Sequence, residues 1–256
     1  MSRVASHLSL VAGGALVPAG ERTPAAVAGE RFRLPEPASP TLSELFAAHP
    51  RNGGWAGFLL AHGAPAGPVL WVQERMAILE SGRVHPPGLS DRLESGRVHP
   101  PGLRDLDLIH VEARDARAAL WAMEEGLRCA ALGLVIGELW GDPAALDFTA
   151  TRRLAVAAER SGVACWLVRL GGSANLSGAR MRWRVASAPS CPNPLDPRAP
   201  GFPAWDPELF RARGSPPGRW RIAGEAGTAH PVRLVAASGD RAVDGVGVGI
   251  ARRLSA

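Results

Sequence analysis

No lysine and no tyrosine occur anywhere in the 256-residue chain; its 29 Lys-or-Arg positions are all arginine. A phosphate-loop lysine, a Schiff-base lysine and a lysine general base are therefore excluded. Cysteine is scarce: Cys129, Cys165 and Cys191 are odd in number, widely spaced and without a CxxC pair. That pattern is neither a disulfide framework nor a zinc site, and it fits a reducing cytoplasm, the expected location. No run approaches the ~20 apolar residues of a membrane span. Arg3 precedes only a short apolar stretch broken by Gly13 and Gly14, so no secretory signal is expected. No GxSxG elbow occurs, and His110 lies in an expected core strand with no nucleophile motif beside it; it reads as a buried, hydrogen-bonded histidine.

What is present is arginine, and it is unevenly placed. Residues 1–150 hold 13 Arg against 17 Asp and Glu, a net of −4; residues 151–256 hold 16 against 7, a net of +9. A basic second half on a near-neutral body suggests a polyanion or an acidic protein surface as partner, with a solvated arginine-rich surface as the plain alternative.

The order of patterns predicts an α/β fold with a mostly parallel sheet flanked by helices. Residues 1–40, rich in Ala, Gly and Pro, read as a loose arm, and 41–188 as the core. Thr41 followed by Glu44 has capping-box spacing, so TLSELFAAHP is expected to be a short helix ended by Pro50. A glycine-rich turn and an apolar helix-like stretch follow. PVLWVQ (68–73), LDLIHVEA (106–113), LGLVIGEL (132–139) and VACWLVRL (163–170) read as strands. Between them lie a helix capped by Asp115 and a second helix closed by Gly162. GGSANLSG is expected to be a flexible loop. ARMRWRVAS alternates, with Arg180, Arg182 and Arg184 on a wet basic face and Met181, Trp183 and Val185 on a buried one. Residues 189–256 read as an extended Pro/Arg-rich C-terminal region, with one more strand at 218–224 and little order beyond about 240.

Three places could carry chemistry. Gly53, Gly54 and Gly57 sit where a phosphate loop would, but the GK[ST] ending is missing; a tight turn before a core helix is the preferred reading, and no cofactor is expected. Glu74 and Glu138 end strands, where acids hold Mg²⁺ or polarise water in working NTPases; without a phosphate cradle they read as polar strand ends. Arg180, Arg182 and Arg184, at ~7 Å steps along one strand face, match phosphate spacing and could form a nucleic-acid or partner surface with Arg152 and Arg153. His85 and His99 are copies of one residue, and with no third ligand converging on them no metal site is expected.

WVQER (71–75), ESGRVHPPGL, ARDARAALWAMEEGLRC (113–129), ELWGDPAALDFTATRRLAVAAERSGV (138–163), RWRVASAPS (182–190), DPRAPG (196–201) and LFRARGSPPGRWR (209–221) together resemble the ImuA family over roughly residues 41–235. The resemblance implies a RecA-like core and a non-enzymatic accessory role in SOS-induced, error-prone translesion DNA synthesis. It implies ImuB and its associated error-prone polymerase as partners, with RecA and DNA as further candidate contacts. It also implies that GGSANLSG stands where RecA has a DNA-contacting loop. Two other classes stay open: a SulA-like cell-division inhibitor, and a nucleotide-binding enzyme with a degenerate phosphate loop. The family pattern contains the ESGRVHPPGL-type element once. Here 79–92 and 93–106 match at twelve of fourteen positions, a tandem duplication in the core. Each doubling of loop length costs only ~0.6 kcal/mol, so a surface connection can absorb it.

Overall fold

The computed structural model describes residues 9–10, 16–17, 34–62, 67–84, 107–193, 196, 198–199, 201–224 and 232–238. Most of the 1–40 arm, residues 85–106 of the duplicated stretch with His85 and His99, and the tail beyond 238 lie outside them.

Two-residue strands β1 (Ser9–Leu10) and β2 (Leu16–Val17) pair with each other. The main sheet begins with β3 (Leu42–Ala47), followed by helix α1 (Gly54–His62), β4 (Val69–Glu74) and α2 (Arg75–Ser81). Next come β5 (Leu108–Ala113), α3 (Ala116–Gly126), β6 (Leu134–Trp140), α4 (Phe148–Ser161) and β7 (Ala164–Leu170). The chain then runs through β8 (Met181–Cys191), β9 (Phe202–Ala212), β10 (Gly218–Gly224) and β11 (Val232–Ser238). The nine strands are ordered β11-β10-β9-β8-β3-β7-β6-β4-β5. From β8 to β5 all neighbours are parallel; from β8 to β11 they are antiparallel.

Chirality decides which face each helix covers. The chain steps one way along the sheet from β3 to β4 to β5, then back from β5 through β6 to β7. Right-handed crossovers therefore put α1 and α2 on one face and α3 and α4 on the other. The core divides accordingly. Trp55, Phe58, Trp71, Ile136, Trp166 and Trp183 pack on the α1 side. Leu42, Val72, Met123, Val135, Leu154 and Leu167 pack on the α3–α4 side. Asp115 and Asp147 cap α3 and α4 by accepting from the amides of Ala118 (2.8 Å) and Ala150 (2.7 Å), and Gly162 closes α4 in the left-handed region at φ 76°.

The expected helix over 41–50 is instead β3, in the middle of the sheet and bonded on both sides by β7 and β8. Thr41 caps nothing; its hydroxyl donates to Glu159 on α4 at 3.2 Å. Leu, Glu and Ala favour helix locally, but two parallel neighbours supply a full ladder of hydrogen bonds and bury the segment, and that context overrides propensity. In the 189–256 region the expected strand at 218–224 is β10, and β9 and β11 beside it make an antiparallel meander that continues the sheet from β8.

Candidate functional site

Ligands of open α/β sheets gather at the carboxyl ends of the strands, so the turn from β3 into α1 is the first place to look. Asn52 accepts from the Gly54 amide at 3.0 Å and is held by the Ser187 hydroxyl at 2.7 Å. The Trp205 indole donates to the Gly54 carbonyl at 2.7 Å. A Cβ on Gly54 would fall 2.0 Å from Ser187 Oγ, and one on Gly57 3.0 Å from the Trp205 ring. These two glycines thus serve close approach of β8 and β9 to the first turn of α1, leaving that approach filled by the chain's own side chains. Gly53 alone has open space beside it.

The strand-end acids are engaged as well. Glu74 is buried and accepts from the Trp140 amide at 2.9 Å, tying β4 to β6. Glu138 is buried on the α1 side, where it accepts from the Trp71 indole and from Gln73 Nε2 at 3.1 Å. Gln73 Oε1 in turn accepts from the Val84 amide (2.8 Å) and meets His110 Nε2 at 2.9 Å, so His110 is hydrogen-bonded as expected, but it is half-buried on the edge strand β5 and not in the core. Burial pushes the Glu138 carboxyl up to about 7 against the opposing bonds from Gln73 and Trp71.

On the α3–α4 side lies a charged cluster that the sequence reading missed. Glu44, fully buried in β3, accepts from Arg182 Nε of β8 at 2.6 Å and faces Arg169 Nη1 of β7 at 3.9 Å. Arg169 pairs further with Asp142 at the mouth of the loop after β6. The Phe46 ring lies beneath both guanidinium groups, at 5.6 Å from Arg169 and 5.2 Å from Arg182. Asp142 also accepts from the Ser173 amide at 2.9 Å, and the Gly178 amide donates to Thr151 Oγ1 at 3.0 Å. The GGSANLSG segment expected to be flexible is therefore pinned by polar bonds to the loop after β6 and to α4, while Leu176 is exposed.

This corrects the picture of a wet arginine face. Met181, Trp183 and Val185 are buried as expected, but of the three arginines Arg182 is buried too. β8 is not an edge strand: β9 and the 171–180 connection cover it. Arg180 pairs with Glu159 at 2.8 Å, which holds that carboxyl below the usual range, and Arg184 pairs with Glu208 at 3.4 Å over the Phe210 ring. Arg152 and Arg153 line a groove between α3 and α4, where Arg153 meets Glu124 at 3.3 Å, and the Arg152 backbone lies against Gly178. Of the five arginines, Arg182 is the one the fold buries, so it offers no charge to an outer surface.

Over about half its length the chain is similar to Protein ImuA. Two strains of Caulobacter vibrioides carry this relative, each 38% identical over 148 residues, or 53% of this chain and 59% of the relative. The match thus spans a little over half the length of the curated relatives. No family model matches. Among the described residues no helix is long and apolar enough to cross a membrane, and no group of three His, Cys, Asp or Glu is placed to hold a metal ion.

The signal that could have found the cluster is a charge inside an apolar run: Glu44 in LSELFA and Arg169 in ACWLVRL. Strands buried on both faces carry charges only when paired. Glu138 makes a separate prediction. Its raised pKa means that the native state binds a proton more tightly than the unfolded chain, so its contribution is present below pH 4.5 and lost as pH rises to about 7. His62, among the rings of Phe58, Trp166 and Trp183, is lowered to about 4 by burial, so its contribution is lost as pH falls from 6.5 to about 4. The two slopes oppose each other between pH 4.5 and 6.5. Thermal melts of the wild type should be nearly flat there, and Glu138→Gln should melt higher as pH rises through that window. Parallel profiles for the two proteins would show that Glu138 does not titrate in this range.

Proposed function

We propose that this chain is a non-catalytic accessory factor of damage-induced, error-prone translesion DNA synthesis. On this reading it has a RecA-like core, works in the cytoplasm with an ImuB-type partner and its polymerase, and contacts RecA or DNA as further candidates. The similarity to Protein ImuA supports the theme of mutagenesis. The observation that carries the non-catalytic part is the β3–α1 corner. A strand, a glycine turn and a helix stand in the arrangement of a nucleotide site, yet Ser187 and Trp205 occupy the approach to Gly54 and Gly57. No lysine exists to hold the terminal phosphates. The acids that would serve such a site, Glu74 and Glu138, are committed to Trp140, Trp71 and Gln73.

The test is the frequency of damage-induced mutation in a strain lacking the gene, compared with the complemented strain. Induced mutation should fall to near the uninduced background while cells divide normally. Unchanged induced mutation, with filamentous growth on overexpression, would replace this reading with the division-inhibitor one.

A further inference from the structure

The groove between α3 and α4, about 660 Å³, is used by nothing described so far. Its floor is apolar, from Leu127, Val156 and Ala157, and its walls are basic, from Arg128, Arg152, Arg153 and Arg160. Glu124 is the one acid lining it and is already shared between Arg153 (3.3 Å) and Arg128 (3.8 Å). Among the described residues neither Arg152 nor Arg160 has an ion-pair partner; both are exposed. Residues 152, 156 and 160 are four apart, so the two unpaired guanidinium groups flank the half-exposed Val156 along one ridge of α4. An apolar trough with unpaired basic side chains on its walls is the composition of a docking surface.

We infer that the α3–α4 groove is a docking site for an acidic amphipathic helix of a partner protein. The apolar floor would take one helical face and the unpaired arginines the acidic flanks, a helix-in-groove mode. The stretch from Thr149 to Ser161 is about 18 Å long at 1.5 Å per residue, which suits roughly three turns of an incoming helix. A single nucleic-acid strand fits less well, since among the described residues no aromatic ring lines the groove to stack bases. The inference rests on the accessory-factor reading for the partner being a protein, but the groove's chemistry is independent of it.

The test uses the full chain and a fluorescein-labelled synthetic peptide of about 15 residues, leucine on one helical face and glutamate on the other. Fluorescence anisotropy should show binding, weakened about tenfold or more by Arg152→Glu with Arg160→Glu, and likewise by Val156→Glu. The double change Arg75→Glu with Arg211→Glu alters net charge equally at exposed positions outside the groove and should leave affinity nearly unchanged. Equal weakening by that control, no binding by the wild type, or displacement of the peptide by a single-stranded oligonucleotide would each overturn the proposal. Melting temperatures show whether each variant is folded. Loss of induced mutation on gene deletion without peptide binding sinks the groove alone; peptide binding with unchanged induced mutation sinks the accessory reading and leaves the groove standing.

Discussion

Glu44→Gln is expected to destabilise the fold by about 3–5 kcal/mol, because removing one partner of a buried ion pair leaves the others uncompensated. Glu44 has no exposed surface, and the Arg182 side chain has 4%. With the negative charge gone, Arg182 keeps, among the described residues, the Ala174 carbonyl at 3.5 Å, the rings of Phe46 and Phe210 and at best a neutral amide oxygen at position 44. Arg169 retains Asp142, so the loss falls mainly on the β3–β8 contact. Urea denaturation reads the cost as a lower midpoint at similar slope. Pairing the change with Arg182→Met should recover part of it, since an apolar replacement of both partners removes the stranded charge. A Glu44→Gln variant within about 1 kcal/mol of the wild type would mean that the cluster is solvated in solution, contrary to its burial here.

Trp183→Ala is the second large effect, about 3–5 kcal/mol, from lost transfer energy and the cavity left behind. The indole is fully buried in the α1-side core, with ring centroids of Phe58, His62 and Trp220 at 5.9, 5.7 and 5.8 Å. It joins the parallel half of the sheet to the meander, because Trp220 comes from β10. Its Nε1 has no hydrogen-bond partner among the described residues, so Trp183→Phe sacrifices packing but no polar contact and should cost clearly less than the alanine change. Equal losses for the two variants would show that the indole's outer ring, not its general bulk, holds the layer together.

Much of the parallel core was legible from local pattern. The apolar runs that became β4, β6 and β7, the cap at Asp115 and the left-handed Gly162 each depend on a few consecutive residues, and the expectations matched the structure. The alternation of 180–185 also had the right period: Met181, Trp183 and Val185 are inside. That the glycine turn lacks a phosphate-loop lysine is a fact of composition. What filled the turn was not legible, since Ser187 and Trp205 lie far along the chain from Asn52 and Gly54.

Periodicity, caps and missing residue types are properties of short segments, so the α/β class and the exclusion of lysine chemistry follow from residues read in order. Burial of a charge is different, because its free energy depends on a partner that only the assembled sheet supplies. Thr41 and Glu44 made 41–50 look like a helix; in the folded chain β7 and β8 hold 42–47 as a strand, and Arg182, 138 positions after Glu44, meets it at 2.6 Å. The same separation turned Arg182 from a solvent-facing residue into a buried one; on α4, Arg152 and Arg160 have no ion-pair partner among the described residues. Side-chain type and spacing set where a charge can point; which charges are neutralised and which remain free is decided by strand order and by the crossovers that lay α3 and α4 on one face.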